Sequence, residues 1–296
     1  MNLPEMFGEN VFNDQVQKET LPSEVYKALR ATIDAGKRLD TSIAGTVASA
    51  MKKWAVSKGA THYTHWFQPL TGLTAEKHDS FIEPEGDKVI MRLTGKSLTV
   101  GEADASSFPS GGSRVTYMAR GYTAWDPTSP AFVKEGTLYI PTVFVSYTGE
   151  TLDKKSPLLR SMNAIDKQAK RILALFGREC KKVSTTVGPE QEYFLIDEEE
   201  YMRRKDLRLC GRTLFGAPVS RGQELEDHYY GMLKPRIVDF MHDLDKELWS
   251  YGVLSKTKHN EVAPAQHEMA PVFGTANIAV DANMLTMEIM KKVAQK

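Results

Sequence analysis

Residues 258–269 read KHNEVAPAQHEM, which sets two histidines and two glutamates within ten residues. Glu261 and Glu268 stand seven apart, an odd offset that puts them on opposite faces of one unbroken strand. Pro264, between them, has no N–H to offer a strand ladder, so the strand is expected to bend or end there. After a bend both carboxylates can reach one site. His259 and His267, eight apart, form neither a helical i,i+4 pair nor an HExxH frame. A zinc site built on the two histidines therefore lacks a familiar ligand spacing, and a core or surface position accounts for each of them.

A second acidic stretch lies upstream. Residues 188–196 read GPEQEYFLI; on a strand Glu190 and Glu192 project to the same face, and Phe194 and Ile196 are expected to continue that face into apolar surroundings. Two carboxylates held together repel unless a proton or cation joins them, and an all-oxygen ligand set suits Mg2+ or Mn2+ better than zinc. A strand end whose glutamates point into solvent has the same spacing, so spacing alone leaves both readings open. Residues 61–66, THYTHW, hold two histidines three apart, on opposite sides of a strand, where they cannot share an ion. Residues 101–112, GEADASSFPSGG, read as a small-residue loop without the Walker lysine frame; as an exposed loop it carries one candidate functional acid, Asp104.

The 296 residues are 41% hydrophobic and 26% charged, ordinary for globular protein and enough for about two domains at roughly 100–200 residues each. Lysine plus arginine balances aspartate plus glutamate at 38 each, so charge makes no case for nucleic acid or an anionic membrane. Cys180 and Cys210 lie 30 residues apart with no CxxC spacing, which argues against a disulfide framework or thiolate site and for a reducing compartment. The opening MNLPEMFGENVFNDQ has no apolar stretch of signal-peptide length, and no run approaches the ~18 apolar residues that span a bilayer. A cytoplasmic location is expected.

Residues 1–40 mix charged and apolar residues without a clear period and read as an N-terminal extension. From about Thr41 a helix is expected, with Val47, Ala50, Met51 and Trp54 on one side and Gly59 as its stop. Strands are expected in residues 61–72, 88–93, 113–122 and 137–147. Ser156-Pro157 reads as a helix start, with serine as cap and proline in the first helical position. Leu158, Met162, Ile165, Ala169, Ile172 and Phe176 make an apolar stripe, and Gly177 ends it. The change from strands to helix sets a domain boundary near residue 155, giving residues 41–155 and 156–296. A polar, Gly/Arg-rich stretch runs through Arg221. A further helix carrying Ile237, Phe240, Met241, Leu244 and Leu248 ends at Gly252, and a last one begins near Asn277. That last helix presents Met284, Met287, Ile289, Met290 and Val293, a face that earlier strands or further chain must cover.

Together these segments resemble glutamine synthetase in its long, type III form. GPEQEYF is similar to that family's first metal-carboxylate strand, and HNEVAPAQHEM to its second. KKWAVSKGATHYTHWFQPLTGLTAEKHDSF, residues 52–81, resembles the type III signature. GEADASSF is similar to the family's DGSS loop, and TGETLDKKSPLLRS to the passage leading into its catalytic domain. The resemblance runs in the family's order over about residues 41–296.

It implies an α+β chain: an N-terminal β-grasp domain, then the first part of a catalytic β-barrel-like domain with flanking helices, incomplete at its C-terminus. By resemblance Glu192, Glu261 and Glu268 hold the metal nearest the substrate glutamate, and Glu190 holds a second ion bridging the ATP phosphates. Asp104 reaches a neighbouring subunit's ammonium site. Two departures stand out: Asp104 is followed by Ala105 rather than glycine, which weakens that assignment, and Ala265 stands where the family has glycine, at a position that supplies no metal ligand. The implied reaction joins ammonia to L-glutamate through γ-glutamyl phosphate, with ATP as co-substrate and two or more Mg2+ or Mn2+ ions per site. The implied assembly is a homo-oligomer, a dodecamer of two hexameric rings. The family's NGSG segment, flap glutamate and substrate-gripping arginines are not in these residues. A non-catalytic assembly or regulatory relative, or a γ-glutamyl ligase using another amine, stands as the alternative.

Overall fold

Residues 2–40 form three helices despite their lack of period: α1 (Leu3–Met6), α2 (Asp14–Thr20) and α3 (Ser23–Ala35). Local signals start and stop two of them. The Asn13 side chain accepts from the Val16 N–H at 3.1 Å, and Gly36 closes α3 at φ +61°, a left-handed cap that suits glycine. Tertiary burial supplies what period does not. Phe12, Leu21, Leu29 and Leu39 join one core cluster with Val47, Met51 and Trp54 of α4 (Thr41–Ser57). Asp40 caps α4 by accepting from the Ser42 N–H at 2.8 Å, and Gly59 follows at φ +86°.

The structure, a computed structural model, describes residues 2–69, 74–104, 120–214, 216 and 228–296. Among these the chain forms two compact units. The first comprises Met1–Val187, Ser250–Gly252 and Gly274–Met284, and the second Gly188–Trp249, Val253–Phe273 and Leu285–Lys296.

In the first unit the strands are β1 (His62–Trp66), β2 (Asp79–Ser80), β3 (Ile82–Glu85), β4 (Lys88–Met91), β5 (Gly101–Asp104), β6 (Arg120–Trp125), β7 (Phe132–Lys134) and β8 (Thr137–Ser146), with helix α5 (Gly95–Thr99) before β5. They make a mixed sheet in the order β2-β1-β8-β6-β5, with β7 also on β8 and β3–β4 as a separate hairpin. β8 runs parallel to β1 and antiparallel to β6. Covered on both faces, it is buried along nearly its whole length: Leu138 and Ile140 join the α4 cluster, while Phe144 packs with Phe67 and Leu152. Gly121 of β6 allows the closest approach in this sheet, since a Cβ there would meet the Val145 carbonyl oxygen at 2.0 Å. Of the strand expected at residues 113–122, residues 113–119 lie outside the described residues, as does loop 105–112.

Helix α6 (Lys155–Leu175) corrects the expected start at Ser156-Pro157. The helix begins at Lys155, which moves Pro157 to its third position, and the cap comes from Asp153. That buried carboxyl group accepts from the Ser156 N–H at 3.2 Å, and burial raises its pKa. The apolar stripe is largely open, with Ile165, Ile172 and Phe176 more than half exposed.

A buried ionic network ties three distant parts of this unit. Lys155 is 2% exposed, with Nζ 2.5 Å from Asp281 Oδ2 and 3.2 Å from Asp126 Oδ2. Ser129 Oγ donates to Asp281, and Asn277 Nδ2 donates to Asp126 at 3.1 Å. The neighbouring charges lower the carboxyl of Asp126 and raise the ammonium of Lys155 against the opposing effect of burial.

Strand β9 (Thr186–Val187) pairs with β13 (Gly274–Thr275). In the second unit β10 (Gln191–Phe194), β11 (Ser255–Asn260) and β12 (Gln266–Pro271) form an antiparallel sheet in the order β10-β12-β11. The stretch expected to be merely polar contains two short helices, α7 (Glu198–Arg203) and α8 (Lys205–Cys210), where the Arg204 guanidinium forks onto Asp206. Helix α9 (Pro235–Ser250) covers one sheet face: Phe240 meets the Tyr193 ring at 5.7 Å, and Asp245 accepts from Lys258 and Ser255, both at 2.8 Å. Of the apolar face expected on helix α10 (Ala276–Ala294), Ile289, Met290 and Val293 are buried, while Met284 and Met287 are half-buried. No described helix is long and apolar enough to cross a membrane, and both cysteines are free.

Candidate metal centre

The bend expected at Pro264 is a hairpin turn. The Glu261 N–H donates to the Gln266 carbonyl at 2.9 Å, and the Gln266 N–H to the Ala263 carbonyl at 3.1 Å. Ala265 sits at φ +61°, a left-handed backbone that accounts physically for a glycine preference there. Folding the strand back turns the odd seven-residue offset into an alignment. His259 pairs with Glu268 across β11 and β12, and Glu192 pairs with Glu268 across β10 and β12. Glu192, Glu268 and His259 therefore share one face of the sheet. Tyr193, His267 and Asn260 share the other.

On the first face acidic groups crowd together. Ligand atoms of His259, Glu261 and Glu268 all lie within 4.8 Å of one another. His259 Nε2 is 3.2 Å from Glu268 Oε2, and Nδ1 is 3.9 Å from Glu261 Oε1. Burial, aided by the carboxylates of Glu261 and Glu190, pushes the carboxyl of Glu268 up to about 8. Glu261 is held below the usual carboxylate range because it accepts the Glu268 proton. The Tyr229 hydroxyl lies 3.4 Å from His259 Nε2, and burial followed by the Glu261 and Glu268 charges raises it.

The structure thus brings Glu190, Glu261 and Glu268 together. Glu192 is on the same face, but its carboxylate accepts from Gln266 Nε2 at 2.9 Å. Phe194 and Ile196 correct one expectation: they are 57% and 52% exposed, because nothing among the described residues packs on that end of the face. Asp104 ends β5, its backbone paired with Arg120 in the first unit. His259 stands among the carboxylates. His267 does not: its Nδ1 donates to Asn260 Oδ1 at 2.9 Å, and its ring packs near Tyr193. The residues fit a divalent ion. Three or more carboxylates converge so closely that one must keep a proton, and a cation relieves the same repulsion.

Residues 3–161 match the family of the glutamine synthetase type III N terminal, and residues 167–296 match the glutamine synthetase catalytic domain. The chain belongs to the type III glutamine synthetase family. It is 50% identical over 301 residues to a type-3 glutamine synthetase of Dictyostelium discoideum, covering 99% of this chain and 41% of that protein. It is 51% identical over 295 residues to a glutamine synthetase of Bacteroides fragilis (strain YCH46), covering 99% and 40%. The chain therefore spans about two-fifths of the length of these relatives. A cryo-EM structure of Plasmodium falciparum glutamine synthetase shares the fold, with a TM-score of 0.52 at 13% identity over 84% of this chain and 48% of that one. The α+β architecture, mixed sheets with flanking helices, is that of the glutamine synthetase fold.

Proposed function

We propose that these residues serve a glutamate–ammonia ligase, which joins ammonia to L-glutamate at the expense of ATP and releases L-glutamine. The reading rests chiefly on the convergence of Glu190, Glu261 and Glu268 on one sheet face of a type III chain. Glutamate's carboxylate is a poor electrophile, so the reaction proceeds through γ-glutamyl phosphate. Divalent ions supply neutralising charge for the transferring phosphoryl group. This chain's part is to hold that charge in place. Glu192, Glu261 and Glu268 would hold the ion nearest glutamate, and Glu190 a second one on the phosphate side. Crowding keeps a proton on Glu268 until a cation takes its place. Asp104 would serve an ammonium site in a neighbouring subunit of a ring-paired dodecamer.

The finer architecture belongs to the same proposal: residues 41–155 as a β-grasp domain, residues 156–296 as part of the catalytic domain, Mg2+ or Mn2+ as the ions, and the cytoplasm as the setting. Glutamate- and ammonia-dependent ATP cleavage by the full-length protein tests the reaction. Glu192→Ala and Glu261→Ala should each abolish it, because a missing carboxylate opens a charged ligand position. Metal-dependent synthesis retained in both variants would sink the assignment.

A further inference from the structure

We propose that the first unit binds a short monocarboxylate of the acetate or propionate class in a cavity at the start of α6. None of the cavity's residues belongs to the candidate metal centre, and the inference stands apart from the function proposed above.

The cavity measures about 90 Å3. Gln68, Lys154, Lys155 and Asp281 supply its polar lining, and Leu158, Val280 and Met284 its apolar lining. The Lys154 N–H donates to the Gln68 carbonyl at 2.8 Å, which holds the chain after β1 against the start of α6. The first observation is an orphaned donor. Gln68 is 4% exposed, and its Nε2 has no hydrogen-bond partner among the described residues. Buried amide N–H groups are ordinarily paired, so this one calls for an acceptor. The second observation is charge. Two lysines face one aspartate in the lining, a net charge of one positive. Asp281 Oδ2 already accepts from Lys155 Nζ and Ser129 Oγ, and Asp126, the other partner of Lys155, is taken up by Thr128 and Asn277. The N-terminus of α6, a helix of 21 residues, adds partial positive charge. A monoanion balances such a lining, whereas a cation or a dianion does not.

Size and wall chemistry select the anion. A cavity of ~150 Å3 accommodates the six carbons of benzene, so about 90 Å3 suits roughly four or five heavy atoms. Leu158, Val280 and Met284 offer an alkyl group a surface to pack on, which an inorganic anion leaves unused. The carboxylate end accepts from Gln68 Nε2 and the Lys154 ammonium, and the methyl or ethyl end rests on the three apolar side chains. Water alone would satisfy Gln68 but would leave those side chains wetted.

Saturation-transfer NMR and thermal unfolding of the full-length protein with sodium propionate test the site. Propionate should receive saturation transfer and raise the melting temperature. Neutral propionamide should do neither, and sodium chloride at equal concentration should leave the melting temperature where it was. Saturating L-glutamate should leave the propionate signal intact. Gln68→Leu removes the orphaned donor, so it should keep or raise the ligand-free melting temperature while weakening propionate about tenfold or more. Val280→Phe, at a position 37% exposed, should fill the cavity and abolish the response, so the test does not depend on one variant folding. No saturation transfer in the parent overturns the site, as does undiminished transfer in either variant or displacement by L-glutamate. A melting-temperature rise that chloride reproduces overturns it as well.

Discussion

Glu268→Gln should stabilise the metal-free chain at neutral to mildly alkaline pH while removing its response to divalent ions. Glu268 is 6% exposed and faces Glu190, Glu261 and His259. Its carboxyl is raised from an ordinary 4.5 to about 8. The folded chain thus keeps a proton that the unfolded chain releases, so stability falls as pH rises from 4.5 to about 8 and levels off above that. At ~1.4 kcal/mol per pH unit the whole window corresponds to about 5 kcal/mol. Water around the exposed Glu190 screens the repulsion, which leaves roughly half, about 2–3 kcal/mol. Glutamine cannot ionise, and its amide donates where the carboxyl proton did. Urea unfolding of parent and variant at intervals from about pH 5 to pH 9, with and without MnCl2, reads both effects. The parent should lose stability across the window and regain it with Mn2+, while the variant should stay flat and ignore the ion. A variant less stable than the parent near pH 8, or a parent whose metal-free stability is flat from pH 5 to 8, would refute the reasoning.

Other positions give simpler outcomes. Ala265→Gly should raise the unfolding free energy by about 0.5–1 kcal/mol, because glycine adopts the φ of +61° without a Cβ clash, and Ala265→Val should lower it. Lys155→Met leaves Asp126 and Asp281 buried without their cation and should cost about 3–5 kcal/mol in a urea melt; an unchanged midpoint would mean that water already solvates the pair. Gly121→Ala drives a methyl onto the Val145 carbonyl and should cost about 2 kcal/mol or more, visible as a lower melting temperature and faster exchange of the β6 and β8 amides.

What could be read from the residues follows a physical line. α4, β8, α9 and α10 were legible because each carries a strong period and most end at a glycine or a charge. α1 to α3 were not, since they are short and owe their stability to Phe12, Leu21 and Leu29 meeting a core built by later residues. The start of α6 was misplaced because a buried Asp153 outcompetes the serine that local preference favours. At the site, period-two parity placed Glu190 and Glu192 on one face, and the proline break brought Glu261 to Glu268. The place of His259 beside Glu261 and Glu268 is not legible from its spacing to His267, because the hairpin and the ladder pairing with Glu268 put it there.

The Lys155 network also sets an order of events during synthesis. Lys155 and Asp281 are 126 residues apart, and the helix bearing Asp281 and Asn277 completes a unit whose sheet ends at Ser146. At ~5–20 residues per second a ribosome needs about 6–25 s to bring the later carboxylate out after the lysine. Throughout that interval a cation destined for the interior lacks the Asp281 carboxylate, the nearer of the two it pairs with. A chain cut at the end of the first family match, residue 161, would be held in that state permanently. The line between the two family matches is therefore one that this buried network crosses.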